Sequence, residues 1–395
     1  MEKSESTGLD YSQGKIGTLF MKIFIPTLLG MISTALITII DGVFVGQGVG
    51  PDGIAAVNII APIYMVATGV GLMLGIGASV IAGMALAEGN RQRTDRVVSQ
   101  SFAVVTVSML LLVTVVLLCP QRVARMMGSS EHLMPHAVDY LTWIVPATLF
   151  VAWSSIGMMV IRLDGSPKYA MMINVVSSVL NIIGDYILIF PFGMGVKGAA
   201  IATSASVAVG GVMALVYFRW SYVIKLRTDM SGLWNNMKRV LSIGSSAFVT
   251  EVAMSVMMFT GNFIFMKYYA DAGVAAFSIA CYLFPLMFMM SNAVAQSSQP
   301  IISYNAGTGA KERVAAAFRL SRTVALTCGV LVAAGISLSA GAIVGMFIPV
   351  DSEAGTLAVA GLPVFSVCAV FFALNIAYIG YCQSIGLAMR AMIYT

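Results

Sequence analysis

The run "GTLFMKIFIPTLLGMISTALITIIDGVFV" (residues 17–45) carries only two charged side chains, Lys22 near its start and Asp41 near its end. A helix rises about 1.5 Å per residue, so about 20 apolar residues cross the roughly 30 Å of bilayer hydrocarbon. The run predicts a membrane-spanning helix. A carboxylate at the centre of such a helix costs roughly 2.5–3.5 kcal/mol on insertion scales, so Asp41 asks for a function.

The rest of the 395-residue chain has the same character. Hydrophobic residues make up 59% and charged residues 10%, against about 45–50% and about 25% in soluble domains. The excess is spread over runs that each suffice for a span. Ten spans are predicted, at 17–45, 54–86, 98–119, 136–161, 169–190, 198–219, 240–267, 274–302, 316–348 and 357–381. The fold class is an all-α polytopic membrane protein. The polar tail, residues 1–15, has no short apolar core followed by a cleavage site, so the first span reads as an uncleaved anchor. The five cysteines lie in or beside apolar runs and fit no metal spacing, which predicts buried packing thiols.

Charge sets an orientation. With the N-terminus in the cytoplasm, Arg122, Arg125, Lys197 and Lys267 fall outside, and the remaining lysines and arginines fall inside. The net charge of +5 is then mainly a topological signal and requires no nucleic acid. A bacterial-type inner membrane is the expected location.

The chain also repeats. "IAAVNI" (54–59) resembles "VAAFSI" (274–279), "TDRVV" (94–98) resembles "KERVA" (311–315), and "GSPKYAM" (165–171) resembles "GLAMRAM" (386–392). An even number of spans per copy gives both copies the same direction, with an axis along the membrane normal, a common transporter plan. The predicted units are an N-terminal lobe (1–218, spans one to six), a linker (219–239) and a C-terminal lobe (240–395, spans seven to ten). The basic, aromatic linker is expected on the inner membrane surface.

Polar residues within the spans form stripes. Thr27, Thr34, Thr38 and Asp41 fall on one face of span one. Asn174, Ser178, Asn181 and Asp185 do the same on span five. Such faces turn towards protein or water rather than lipid. Spans one and five run in the same direction, and Asp41 and Asp185 lie at matching depth near the outer end. Thr203 lies a similar distance into span six. The threonines and asparagines alone would be ordinary interhelical glue, but two ionisable groups need a further reason. Two acids sharing a low-dielectric pocket cannot both ionise cheaply, which suits a proton carrier. The same oxygens, with Asn181 and Thr203, suit a small hard cation such as Na⁺. The second half carries Glu251 with Asn262 on one face, and a stripe of Asn292, Gln296, Gln299 and Ser303. Glu251, Asn262, Gln296 and Gln299 form a candidate substrate or ion site. The alternative is a buried, hydrogen-bonded acid. The many methionines of this half suit promiscuous binding or plain packing equally.

Other chemistries lack their signatures. No G-x-x-x-x-G-K-[ST] occurs, so no ATP engine is built in and no cofactor is expected beyond a coupling ion. Gly69, Gly71, Gly75 and Gly77 lie inside a span and read as small-residue helix packing. "IIGD" (182–185) departs from the G-x-G-D of intramembrane aspartyl proteases, and His132 and His136 lie in an outer loop.

"DGVFVG" (41–46), "RLDGSPKYAM" (162–171), "NIIGDYILIF" (181–190), "GVKGAAIAT" (195–203) and "QPIISYNAGTGAKERV" (299–314) resemble the multidrug and toxic compound extrusion (MATE) family. The resemblance covers nearly the whole chain. It implies two six-helix lobes around a central cavity, exporting amphipathic organic cations or other toxic compounds in exchange for H⁺ or Na⁺, with drugs and membrane lipid as partners, and a monomer. It also implies an N-lobe site that falls on Asp41, Asn181, Asp185 and Thr203. A C-lobe cation site with acids on spans seven and ten is matched by Glu251 alone, because span ten holds no acid. Twelve family spans against ten here imply that counterparts of the last two are missing and that the chain is truncated at its C-terminus. A lipid-linked saccharide flippase would require a cavity rich in Arg and Lys, whereas acids lie within these spans. An intramembrane enzyme lacks a motif.

Overall fold

The computed structural model describes residues 9–395 other than Gly50, Gly128 and Ser130. The side chains of several helical residues, Thr38 and Asn262 among them, lie outside that description. Described segments fold into α-helices and connecting turns. In order these are α1 (Ile16–Gly48), α2 (Pro51–Ala87), α3 (Arg91–Leu118), α4 (Pro120–Met126), α5 (Met134–Ile144), α6 (Ala147–Leu163), α7 (Pro167–Ile189), α8 (Gly195–Tyr217), α9 (Leu233–Gly307), α10 (Lys311–Leu338), α11 (Ala340–Gly345), α12 (Glu353–Ser384) and α13 (Ala388–Tyr394). Among the described residues, eight helical segments are long and apolar enough to cross a membrane, or nine when α5 and α6 are taken as one span. Leu111, Leu118, Leu331, Val364 and Phe371 present exposed apolar side chains on the outside of the bundle, as contact with lipid requires.

Two spans differ from their sequence reading. The fourth is not one straight helix: α5 and α6 meet at 46°. Pro146 stands at the break, where it supplies no backbone N–H to continue the ladder. In α9, helical hydrogen bonding runs through two predicted spans. The rings of Phe265 and Phe277 nevertheless stack with centroids 4.8 Å apart, where a straight helix would separate those residues by about 18 Å. The chain therefore reverses between them, and α9 is two antiparallel arms. The cysteines are free, and Cys382 is buried as expected, but Cys368 is exposed.

The repeat is visible in the turns. Gly89 and Gly309 precede α3 and α10 with φ of +75° each, and Gly165 and Gly386 precede α7 and α13 with φ of +90° and +77°. Both pairs occupy equivalent places in the two copies. Each φ lies in the left-handed region that glycine adopts without a Cβ clash.

Packing is shared at one end of the molecule and divided at the other. On the face carrying the N-terminal tail, Phe20, Ile23 and Phe24 of α1 are buried against Val294 and Ile301 of α9 and Ala377 of α12. Leu74 and Ile81 of α2 are buried with Val240 and Ile243 of α9. On the opposite face, the start of α2 packs with α5 and α8, including Ile60, Leu141 and Val196. There the second arm of α9 packs separately with α10 to α12, including Ile279, Ile336 and Leu362. The two halves thus hold together at the tail face, and their described cores part towards the far face.

Small residues allow the shared contact. A Cβ on Gly77 would lie 2.1 Å from the Val240 carbonyl, and one on Gly244 would lie 1.8 Å from the Met73 carbonyl. The α2 glycines are therefore packing residues. The linker is held more firmly than its composition suggests. Asp164 accepts from the backbone N–H groups of Tyr222, Val223 and Ile224 at 2.8–2.9 Å and from the Tyr217 hydroxyl at 2.7 Å. Asp95 accepts from the Lys225 N–H at 2.9 Å and from Arg227 Nε at 2.7 Å. Only part of the segment, including Trp220 and Trp234, remains exposed. Asp164 belongs to the "RLDGSPK" motif, and its role here is to fasten the linker.

Gly244→Ala should lower the thermal midpoint of the detergent-solubilised protein, with a cost of about 1–3 kcal/mol for overpacking. Gly335→Ala, where an added Cβ meets nothing within 4 Å, should leave the midpoint unchanged or raise it. Equal midpoints for the two variants would contradict the close approach of α2 and α9.

Candidate functional site

Glycines set the distance between α1 and α7. A Cβ on Gly30 would stand 3.1 Å from Asn174 Nδ2, and one on Gly48 would stand 2.1 Å from Ile189 Cγ2. Between these two approaches the side chains of Asp41 and Asp185 come within electrostatic reach of each other. Gly184 lets α8 close on α7 in the same way, since its Cβ would lie 2.9 Å from that of Ala202. That approach brings Asn181 Nδ2 to 3.1 Å from Thr203 Oγ1, to which it donates. The Asn181 side chain also lies within electrostatic reach of Asp185. Asp41, Asn181, Asp185 and Thr203 therefore form one cluster, as stripe and depth predict.

Burial gives the cluster its chemistry. Asp185 is fully buried and Asn181 nearly so. Both carboxyl oxygens of Asp185 and Oδ1 of Asn181 lack a donor among the described residues. A carboxylate has no donor of its own, so Asp41 and Asp185 can share a hydrogen bond only when one of them holds a proton. Buried acceptors without donors cost about 1–3 kcal/mol each. The pocket is thus built to take up something positive. Lower on the α1 stripe, the Thr34 hydroxyl donates to its own helix at Gly30 O, as structural threonines do. Thr38 lies outside the described side chains.

Two tyrosines complete the surroundings. Tyr64 of α2 lies within electrostatic reach of Asp41, and Tyr140 of α5 lies within reach of both acids. Their sequence positions share no stripe with either acid. Only the general need of a buried phenol for a polar partner could have flagged them.

The second predicted site is partly assembled. Glu251 lines a cavity between α2, both arms of α9 and α12, together with Gln296 and Gln299. Asn262 lies outside the described side chains. Thr250, Asn292 and Gln383 join the lining, and Leu72, Phe288 and Ile379 supply apolar wall. Gln383 comes from α12 and escaped sequence reading because its partners lie far away in the chain. Just beneath, buried Arg162 of α6 donates from Nη1 to Gln296 Oε1 at 3.0 Å, a hydrogen bond between the halves. The Tyr11 hydroxyl donates to the Arg162 carbonyl, and Asn305 Nδ2 donates to the Tyr11 carbonyl at 3.0 Å. Burial raises the Tyr11 phenol above its ordinary range, and nearby Asp164 adds to the effect. Among the described residues, no group of three His, Cys, Asp or Glu side chains could hold a metal ion.

A family model described as MatE matches residues 26–187 and 246–395. Multidrug export protein MepA of Staphylococcus saprophyticus is 26% identical over 289 residues, covering 72% of this chain and 63% of that protein. MepA of Staphylococcus aureus strain MSSA476 is 25% identical over 301 residues, covering 75% and 66%. The chain therefore spans about two thirds of the length of these relatives. Among solved structures, an outward-facing conformation of a multidrug resistance MATE family transporter superposes with a TM-score of 0.92 at 24% identity, covering 99% of this chain and 87% of that one. A MATE complex with MaD3S gives 0.91 at 24% identity, covering 98% and 86%. A MOP superfamily transporter from Pyrococcus furiosus, described as having a binding pocket of reverse polarity that suggests a different function, gives 0.91 at 23%, covering 99% and 87%. These likenesses establish the shared fold.

Asp185→Asn should stabilise the protein by about 1–3 kcal/mol, because the amide brings donors to oxygens that have none. A thermal shift in detergent measures this. A midpoint below that of the unmodified chain would show that the acid pair is a structural bond rather than a strained site.

Proposed function

The chain belongs to the MatE family, and on that premise we propose that it works as a secondary antiporter exporting amphipathic organic cations in exchange for protons. The observation that carries this reading is the approach of Asp41 to Asp185 inside a pocket short of donors. A proton entering the pocket turns two repelling carboxylates into a hydrogen-bonded pair, and its departure restores the repulsion. Asp41 and Asp185 sit on neighbouring helices, α1 and α7, so proton binding biases how those helices pack. A ligand shifts such an equilibrium only through different interactions with its two states, and the acid pair supplies that difference.

In this reading the tail face is cytoplasmic and the membrane is a bacterial-type inner membrane. The cleft between the divided cores then faces outward, and substrate engages the cavity holding Glu251. The working units are an N-terminal lobe of α1–α8 and a C-terminal lobe of α9–α13 joined by the fastened linker, acting as a monomer. The acids in the clefts favour cationic cargo over the phosphates of a lipid-linked saccharide.

Sodium is a second reading, favoured by one feature. A proton shared by the two acids leaves Asn181 Oδ1 without a donor, whereas Na⁺ among the oxygens of Asp41, Asn181, Asp185 and Thr203 would satisfy it. Reconstitution in vesicles distinguishes the two. Under a pH gradient without sodium the chain should accumulate a fluorescent organic cation, and Asp41→Asn should reduce accumulation to the leak level. Transport driven only by a sodium gradient selects the second reading, and undiminished transport by Asp41→Asn rejects both.

A further inference from the structure

The hydrogen bonds behind the Glu251 cavity fix which ends of its amides face inward. Asn292 Nδ2 donates to the Phe288 carbonyl at 3.0 Å, and Gln299 Nε2 donates to the Ile76 carbonyl at 3.3 Å. A backbone carbonyl can only accept, so each amide must turn its nitrogen to the wall. The oxygens are left for the cavity, with no donor to them among the described residues. Gln383 bonds the Ser246 hydroxyl at 2.8 Å, a partner that accepts or donates and so leaves either end of this amide for the cavity. The Thr250 hydroxyl spends its proton on the Ser246 carbonyl at 2.8 Å, keeping its lone pairs free. Gln296 is the exception: Arg162 occupies its carbonyl, so its NH₂ remains. The lining therefore holds the Glu251 side chain and presents two amide oxygens and a hydroxyl oxygen against the Gln296 amide donor.

We propose that this cavity is a head-group pocket selective for cations bearing several N–H donors, such as guanidinium, amidinium and primary ammonium groups, over quaternary ammonium groups of equal charge. A trimethylammonium head satisfies the carboxylate electrostatically but offers nothing to the amide oxygens, which lose water on its entry and gain no donor. Unpaired polar groups of this kind are what lets a site reject an analogue lacking the matching hydrogen bond. The apolar wall from Leu72, Phe288 and Ile379 fits the first carbons of an amphipathic tail and does not suit a bare metal ion. The proposal rests on the reading of this cavity as the cargo site. It adds which charged head the site accepts.

Equilibrium binding to the full chain in detergent tests it with three probes sharing one tail: 4-phenylbutylguanidinium, 4-phenylbutylammonium and 4-phenylbutyltrimethylammonium. The guanidinium probe should bind at least about tenfold tighter than the trimethylammonium probe, the effect of two or three hydrogen bonds. Asn292→Leu and Gln299→Met should each narrow that ratio while leaving trimethylammonium affinity within about twofold. Glu251→Gln should weaken all three probes. Should one amide variant lose its monodisperse elution, the other carries the test with the same expectation. Equal affinities in the unmodified chain, or variants that weaken all probes alike, overturn the selectivity and leave the export reading standing. Failure of every probe to bind overturns the cavity as a cation site, and vesicle transport then judges export separately. Competition by Na⁺ against all three probes, lost in Glu251→Gln, assigns the oxygens to a metal ion and also overturns the proposal.

Discussion

Two neighbouring carboxyl groups within a donor-poor pocket set the terms for the rest of this molecule. The pair is unstable as two anions and stable once something positive arrives. Such a site lowers the stability of the fold, and the surrounding structure must hold it in place. The glycines do this on both sides. Gly30 and Gly48 bring α1 onto α7, and Gly184 brings α8 onto α7. Larger residues at these positions would move the acids apart and remove the conflict. The smallest side chains in the spans are thus as necessary to the site as the charged ones.

The division of the core gives that response somewhere to go. The halves share buried side chains on the tail face and keep separate cores on the far face. Polar contacts between halves also gather towards the tail face, where Arg162 reaches Gln296 and Asn305 reaches the Tyr11 carbonyl. Nearby Asn305 and Arg313 hold the backbone of the tail. Opening this face means breaking those bonds together with the packing of α1 on α9. Close-packed interfaces of this kind switch between discrete arrangements rather than deforming continuously.

Much of the N-terminal cluster was legible because helical periodicity and membrane depth are independent coordinates. Asp41 and Asp185 fell on polar stripes by the first and at one level by the second, and Thr203 followed by level alone. The residues missed are those that reach a site by tertiary packing without sharing its stripe. Tyr64 and Tyr140 come from α2 and α5, and Gln383 comes from α12. Composition was silent on how the linker is held: basic and aromatic residues suggested a membrane surface, and Asp95 and Asp164, distant in sequence, bind its backbone directly. The break at Pro146 was visible as a residue, yet its consequence depends on how α5 and α6 dock, which a hydropathy pattern does not contain. The motif glycines of α2 were read correctly as packing because no strand preceded them.

Helix α1 joins these parts mechanically. Its first turns, with Phe20, Ile23 and Phe24, are buried against the C-terminal half, whereas its later turns lie along α7 and carry Asp41 to Asp185. One rod therefore touches both the interface between the halves and the titratable pair. A change in how α1 meets α7 cannot be wholly absorbed within the N-terminal half, because the other end of the rod is embedded in its partner. The α9 arms face the same interface, and they carry Glu251 and the amide oxygens that line the cavity. In the proposed exchange, ion binding and cargo binding act on surfaces connected by continuous packing. That continuity is the physical requirement for exchange of one for the other, since a site able to relax in isolation would bind its ion and move nothing.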